Sequence, residues 1–494
     1  MTAAAGTGID SLFHEPVELM STDARVALSY KRARLLMHEY ALTAKDVLEC
    51  TDKFWALQSD PRLALDVACY TILAAHVGLT IGTLAKFARD RGDVAALVNS
   101  MLKFDTVGLY LLSERGHGLD AFNVESTATL TPEGFILNTP REEASKWMPA
   151  TTPSFGIPKV AVVMARLIVF GEDRGCRFFI VPICNKYQIG TSPLDFSITT
   201  FDHVALPFTA LLAESFEAPK NLLQAWWNKV WRIPLGTGAV AAPLVQGLKH
   251  AAYIGSSYSL HRHVVGKTPS LISFWTQRCA MSIDMSLEPS VRHAYSVIAK
   301  ASIARLFQPW RVNVHGIIIA EGDVLSLCVR LYNELLLGRY SIPGLLRTAR
   351  EYLATCSDHR SEKANAFVLP QAEAGVSAIG HALAYSAIDA AVPRPLLDVF
   401  ECAVIRLDAV WYSELVGLSS FEQRMRENRA CAAVTPRLDE YLRDLNIARY
   451  NRAPIVSDAA WKAYIKLLTT HSGHADSNKD SKASFLSQAV AVRL

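Results

Sequence analysis

Ser113-Glu114-Arg115-Gly116-His117-Gly118 stands where the texture of the chain changes. Upstream, residues 24–112 read as helix. Residues 24–39 and 44–57 carry apolar side chains at three- and four-residue spacing with no Gly or Pro, as expected for helices with one face on a core. Asp60-Pro61 reads as a stop and restart, because Pro has no N–H to lose in the first turn of the next helix. Downstream, to about residue 212, short β-favouring runs alternate with turns. The runs are 126–130, 134–137, 160–170, 177–181 and 199–206. The turns are Pro132-Glu133-Gly134 and Gly171-Glu172-Asp173.

Helix returns after Pro219. Residues 239–258 are rich in small side chains, which allow close helix contacts, and 324–337 repeat Leu and Val on one face. A last helical block is interrupted near Pro370, Pro393, Pro395, Pro436 and Pro454, and residues 474–484 read as a polar, flexible tail. The expected fold is α+β: an N-terminal helical domain (1–112), a central β domain (113–215), a helical domain (216–350) and a C-terminal helical domain with its tail (351–494).

The chain has 494 residues, of which 50% are hydrophobic and 20% charged, enough apolar material for a large core and unlike a disordered protein. A net charge of +3 gives no reason to expect nucleic acid, although it is compatible with a local basic patch for a phosphorylated ligand. Nine cysteines, an odd number with no CxxC pair, read as reduced intracellular thiols. Residues 1–10 have neither a basic nor an apolar signal region, so no secretory signal is expected.

Residues 67–85 approach the roughly 20 residues of a membrane span. They also carry Thr71, His76, Gly78, Thr80, Gly82 and Thr83. The expectation is a buried helix beside a ligand and no membrane span, with a membrane helix as the alternative.

Two further segments follow the first in fixed order: Lys146-Trp147-Met148-Pro149 and Ile319-Ala320-Glu321-Gly322-Asp323. Together the three resemble the acyl-CoA oxidase and acyl-CoA dehydrogenase superfamily, nearest to fungal acyl-CoA oxidase-like proteins. Glu125-Ser126-Thr127-Ala128-Thr129 is similar to the strand that follows the first segment in that family, and residues 324–340 extend the match beyond Glu321. The resemblance implies an acyl-CoA oxidase-like fold, FAD as cofactor, and an acyl-CoA or similar thioester as substrate. It also implies a homodimer and oxidation of a CH–CH group.

The resemblance also implies roles. Glu321 is the candidate catalytic base for the proton α to the thioester, a task that suits a carboxylate in a dry pocket. Ser113, Trp147, Ala150 and Arg262 are the candidate FAD contacts. Ser113 stands where the family has Thr and keeps its hydroxyl, Ala150 stands where the family often has Gly, and the Arg262 fork suits phosphate oxygens. Gly118 and Gly322 leave room for substrate. Structural alternatives stay open for each: a Gly-rich turn at 113–118, a core Trp147, a solvated Arg262 at a helix C-terminus, and Glu321 as an acid at a helix N-terminus. No metal site is expected, since His261 and His263 are two apart and do not share a helix face.

The chain departs from the family pattern at 189–195, 277–293 and 307–316, which read as shortened, and lacks a Gly-Gly-His-Gly-like loop ahead of Glu321. A non-catalytic scaffold that has lost flavin is therefore the alternative function. The expected location is intracellular, cytoplasmic or peroxisomal. Val492-Arg493-Leu494 resembles a peroxisomal address in its basic residue and Leu but not in Val492. The substrate is expected to be a fatty acyl thioester or a specialised (secondary) metabolite.

Overall fold

The computed structural model describes residues 12–15, 17, 20–118, 120–152, 156–183, 194–213, 215–261, 263–264, 270–271, 324–338, 353–386, 388, 392–451 and 453–467. The expectations that fall on Arg262, on 189–193, 277–293 and 307–316, on Glu321 and Gly322, and on the tail lie outside these residues.

Local signals set the first helices. Helix α1 (Thr22–Tyr40) starts where the Ser21 side chain accepts the Ala24 N–H at 3.3 Å, and stops where Ala41 turns left-handed at φ 42°. Residues 44–57, expected as one helix, form two: α2 (Ala44–Glu49), opened by a Thr43–Asp46 capping box, and α3 (Asp52–Gln58). The break is Cys50, left-handed at φ 53° with its N–H returned to the Asp46 carbonyl. Asp60 caps the next turn by accepting the Arg62 N–H at 2.8 Å, with Pro61 at its first position.

Helix α4 (Val67–Phe87) is long and apolar enough to cross a membrane by length and composition, and 72% of its most apolar window is buried inside the protein. Its middle, Ala74–Ile81, winds as a π-helix. There His76 is fully buried, with Nε2 against the Met101 carbonyl at 2.9 Å and Nδ1 accepting the Gly108 N–H at 2.8 Å. Burial pushes its imidazole down to about 4, against the opposing hydrogen bond to Met101. This neutral ring ties α4 to α5 (Gly92–Leu102) and to the first strand.

The helical texture ends sooner than the sequence suggests. Val107–Leu111 is strand β1, the parallel partner of β5 (Lys159–Val169) from Val107↔Lys159 to Leu111↔Val163. The sheet also contains β2 (Thr127–Thr131), β3 (Gly134–Asn138), β6 (Glu172–Pro182) and β8 (Val204–Leu206), while β4 (Lys146–Trp147) and β7 (Ile198–Thr199) form a separate two-stranded ladder. The run 199–206 is thus two strands, separated by a bend at His203, φ 47°.

Strand β5 organises the sheet. One edge carries β6 along its length, and the other carries β1 on its first half and β2 from Arg166 to Ile168. Residues between β1 and β2 must therefore leave the sheet at the middle of β5 and return almost at once, which throws the 113–118 segment out at that seam.

One core cluster runs through the N-terminal helices, the sheet and the first part of the next long helix, from Phe13 through Leu36, Val77, Val162 and Phe179 to Leu244. Each such fully buried side chain is worth about 1.5–3 kcal/mol. Helices α6 (Leu222–Lys229) and α7 (Arg232–His261) follow the last strand of the sheet. Helix α8 (Val324–Leu336) packs Cys328, Tyr332 and Leu335 against Val376 and Ile379 of α9 (Ala372–Ser386). A third cluster joins Val399 and Cys402 of α10 (Arg394–Leu407), Cys431 and Val434 of α11 (Ser420–Val434), and Ala252 of α7.

Candidate active site

The first two sequence segments pair with each other. The Trp147 N–H donates to the Ser113 carbonyl at 3.1 Å, Arg115 N–H to Ser145 at 2.9 Å, and Gly116 N–H to Glu143 at 2.8 Å. At Gly116 a side chain would start 2.9 Å from the Glu143 Cβ, so this antiparallel approach requires glycine. A Cβ on Gly118 would meet nothing within 4 Å, so that position faces open space.

Alternation across the pair sends one set of side chains inward. Glu114 and Lys146 form an ion pair at 2.9 Å with both side chains at 0% exposure. The Glu114 carboxylate also accepts the N–H groups of Glu125 (2.7 Å) and Ser126 (3.0 Å), and the Lys146 ammonium donates to the Leu112 carbonyl at 3.2 Å. Burial lowers the Lys146 ammonium from its ordinary range, opposed by Glu114. The pair closes the base of the loop and ties both segments to the start of β2.

The other set faces outward. Trp147 is 40% exposed and Ser113 half-buried, and among the described residues the Ser113 hydroxyl makes no hydrogen bond. After β4 the chain turns at Met148 (φ 71°) and runs inward to Ala150, 8% exposed, and the fully buried Thr151. The Ala150 carbonyl accepts from the Lys159 ammonium at 2.7 Å. Lys159 also reaches Asp195 at 2.7 Å and the Tyr30 hydroxyl at 2.8 Å, and Tyr30 donates to Asp195 at 3.0 Å. This buried network fixes the 150–152 segment against α1. Burial, then Asp195, raises the Tyr30 phenol well above its ordinary range.

At the open end, His117 Nε2 lies 2.6 Å from Glu125, which also takes Arg141 at 2.5 and 2.6 Å. Arg141 first and His117 second hold the Glu125 carboxyl down to about 2, and the hydrogen bond to Glu125 holds the His117 imidazole above its ordinary range. The site therefore has an outward strip of Ser113 and Trp147, open space at Gly118, and a charged rim at His117, Glu125 and Arg141.

Matches to solved acyl-CoA oxidase structures extend over nearly the full length of the chain. The crystal structure of acyl-CoA oxidase1 from Yarrowia lipolytica matches 97% of this chain and 92% of its own, with a TM-score of 0.70 and 16% identity. Caenorhabditis elegans acyl-CoA oxidase-2, bound with FAD, ascaroside-CoA and ATP, matches 98% and 99% with a TM-score of 0.62 and 15% identity.

The chain has the acyl-CoA oxidase fold.

In sequence it is 35% identical over 133 residues to peroxisomal acyl-coenzyme A oxidase 1 of Arabidopsis thaliana, covering 22% of this chain and 19% of that protein. It is 41% identical over 186 residues to peroxisomal acyl-coenzyme A oxidase 1 of Homo sapiens, covering 36% and 25%. The chain therefore spans only about a fifth to a quarter of the length of these two acyl-CoA oxidases. No family model matches the chain.

Within the acyl-CoA oxidase fold, Ser113 and Trp147 are brought together, Gly118 lies on the same loop, and Ala150 sits at the buried end of the second segment. Arg262, Glu321 and Gly322 lie outside the described residues. Sequence reasoning missed the Glu114–Lys146 and Lys159–Asp195 pairs. A readable signal existed for one of them: Lys159 is a single charge opening the apolar run 160–165, and such a lysine must find a buried partner.

Proposed function

We propose that this protein is an FAD-dependent acyl-CoA oxidase-like oxidoreductase that desaturates an acyl thioester, or a related carbonyl compound, between its α and β carbons. The observation that carries the proposal is the Trp147-to-Ser113 main-chain hydrogen bond, which sets a hydroxyl with no hydrogen bond among the described residues beside a 40%-exposed indole. A hydroxyl and an aromatic face side by side fit the polar edge and the plane of a flavin ring. FAD, when bound, supplies the acceptor for the hydride from the β carbon.

The chain's own groups do the rest. Glu321 takes the α proton, and Arg262 binds the cofactor's phosphates. Ser113 and Trp147 orient the ring, with Ala150 behind them. Gly118 and Gly322 leave space for the thioester. A homodimer in a peroxisomal or cytoplasmic setting, acting on a fatty acyl-CoA or a specialised metabolite, completes the proposal.

A second reading, a scaffold without flavin, draws on Ala150. Its carbonyl is already engaged by Lys159 and it is only 8% exposed, so one proposed contact is drawn into the core. The deciding experiment is an absorption spectrum of the purified protein with identification of released cofactor. Near-stoichiometric flavin, with turnover of acyl-CoA lost in Glu321→Gln, supports the oxidoreductase. A colourless protein that does not take up added FAD favours the scaffold.

A further inference from the structure

A cavity of about 170 Å³ lies between the β5–β6 hairpin and α6, and neither Ser113 nor Trp147 lines it. Its walls are Phe122, Leu222 and Trp226, and its polar groups include Arg166, Arg177 and Lys229. Clefts for whole drug-sized ligands run to roughly 300–1,000 Å³, so this one suits a single group rather than a cofactor.

The charge in it is unbalanced. Arg166 is paired with Asp173 at 2.7 Å. Arg177 is buried and donates to main-chain oxygens of Cys176 (2.9 Å) and Glu217 (2.8 Å), and Lys229 donates to the Ala225 carbonyl at 3.3 Å. Among the described residues neither has a carboxylate partner. A buried cation such as Arg177 is ordinarily paired, and the half-buried Lys229 in the same cavity repels it. Burial and then Arg177 hold the Lys229 ammonium down to about 8, and burial lowers Arg177 as well. Cys176, whose thiol burial pushes up, adds no negative charge near neutrality. An anion with several acceptor oxygens would relieve the repulsion and engage both donors, with a planar fork on one side and a point charge on the other.

We propose that the cavity between the β5–β6 hairpin and α6 binds a phosphoryl group through Arg177 and Lys229. The group belongs either to a larger ligand, such as the phosphate-bearing part of a CoA thioester, or to free phosphate. The inference does not depend on flavin.

Calorimetric titration of the full chain at pH 7 with inorganic phosphate, ADP and CoA tests it, with flavin content read on the same samples. Wild type binds at least one of the three. Lys229→Gln weakens that binding by about tenfold or more, the range for a hydrogen bond to a charged group, and Lys229→Arg restores most of it. The groups facing the anion are Arg166, Asp173, Cys176 and Arg177 from the hairpin and Lys229 from α6. Lys229 loses its proton first as pH rises, so at pH 9 wild-type binding falls while Lys229→Arg holds. Binding of CoA or ADP without phosphate assigns the group to a larger ligand, and binding of all three assigns it to phosphate itself. If none binds, or if Lys229→Gln leaves every affinity unchanged, the proposal is overturned whether or not flavin is present.

Discussion

Glu114 and Lys146 meet at 2.9 Å with neither side chain exposed, joining two segments separated by 32 positions. The two ends of this pair are not equivalent. Glu114 keeps two main-chain N–H donors if Lys146 is lost, whereas Lys146 keeps a single carbonyl if Glu114 is lost.

Glu114→Leu therefore strands a buried ammonium and two N–H groups, and is expected to cost about 4–5 kcal/mol, against about 3 kcal/mol for Lys146→Met. The double variant Glu114→Leu/Lys146→Met should be less destabilised than the sum of the single changes by about 2 kcal/mol or more. Urea unfolding of the three proteins measures this. Additive losses would mean that the pair contributes nothing as a pair.

His76 predicts a pH dependence of stability. Its folded value is about 4, below the ordinary 6.5, so the unfolded chain binds the extra proton. The contribution is fully present above 6.5 and is lost as pH falls toward 4, by about 3 kcal/mol for a shift of that size. The wild-type stability curve should fall more steeply across this window than that of His76→Gln, which is less stable at pH 7. Parallel curves would exclude His76 as the source.

His117 and Glu125 titrate in opposite directions. The contribution of His117, raised above 6.5, is present below that value and lost as pH rises through its folded value. That of Glu125, held at about 2 against an ordinary 4.5, is present above 4.5 and lost as pH falls toward 2. The pair is strongest between 4.5 and 6.5. NMR titration of His117 should give a midpoint above 6.5 that drops toward 6.5 in Glu125→Gln and in high salt. A midpoint unchanged by the substitution would break the assignment.

Gly82 lies against the buried Arg232 guanidinium, which donates to the Gly78 carbonyl at 2.7 Å and the Val47 carbonyl at 3.0 Å. A Cβ on Gly82 would fall 2.1 Å from Arg232 Nε. Gly82→Ala should cost about 3 kcal/mol or more, because the cation cannot move without giving up its acceptors. Gly92→Ala, with nothing within 4 Å of the new Cβ, should be neutral or stabilising by about 0.5 kcal/mol. Thermal unfolding of the two variants separates them, and equal melting temperatures would contradict the packing described for Arg232.

Much of the sheet was readable because its signals are local. The run 160–170 lies between Pro158 and Gly171, and β5 occupies Lys159–Val169. Strand β1 was not readable. Val107–Leu111 follows a helix with no Gly or Pro between them, and it is extended because β5, some 50 residues later, pairs with it. The break at Cys50 was hidden for a similar reason: a left-handed residue that is neither Gly nor Asn carries no local mark.

The sequence by itself determined the α+β class, the order of helix, sheet and helix, and the three segments whose resemblance points to acyl-CoA oxidases. Each of these is encoded in periodicity, turn residues or short motifs, which act over a few positions. Only the tertiary structure decided that Ser113 and Trp147 share an edge, that Glu114 finds Lys146, that Lys159 finds Asp195 and Tyr30, and that Arg177 and Lys229 face one cavity. Those partners are distant in the chain, and whether a charge is buried or paired depends on which strands stack beside it, a relation that no window of sequence contains.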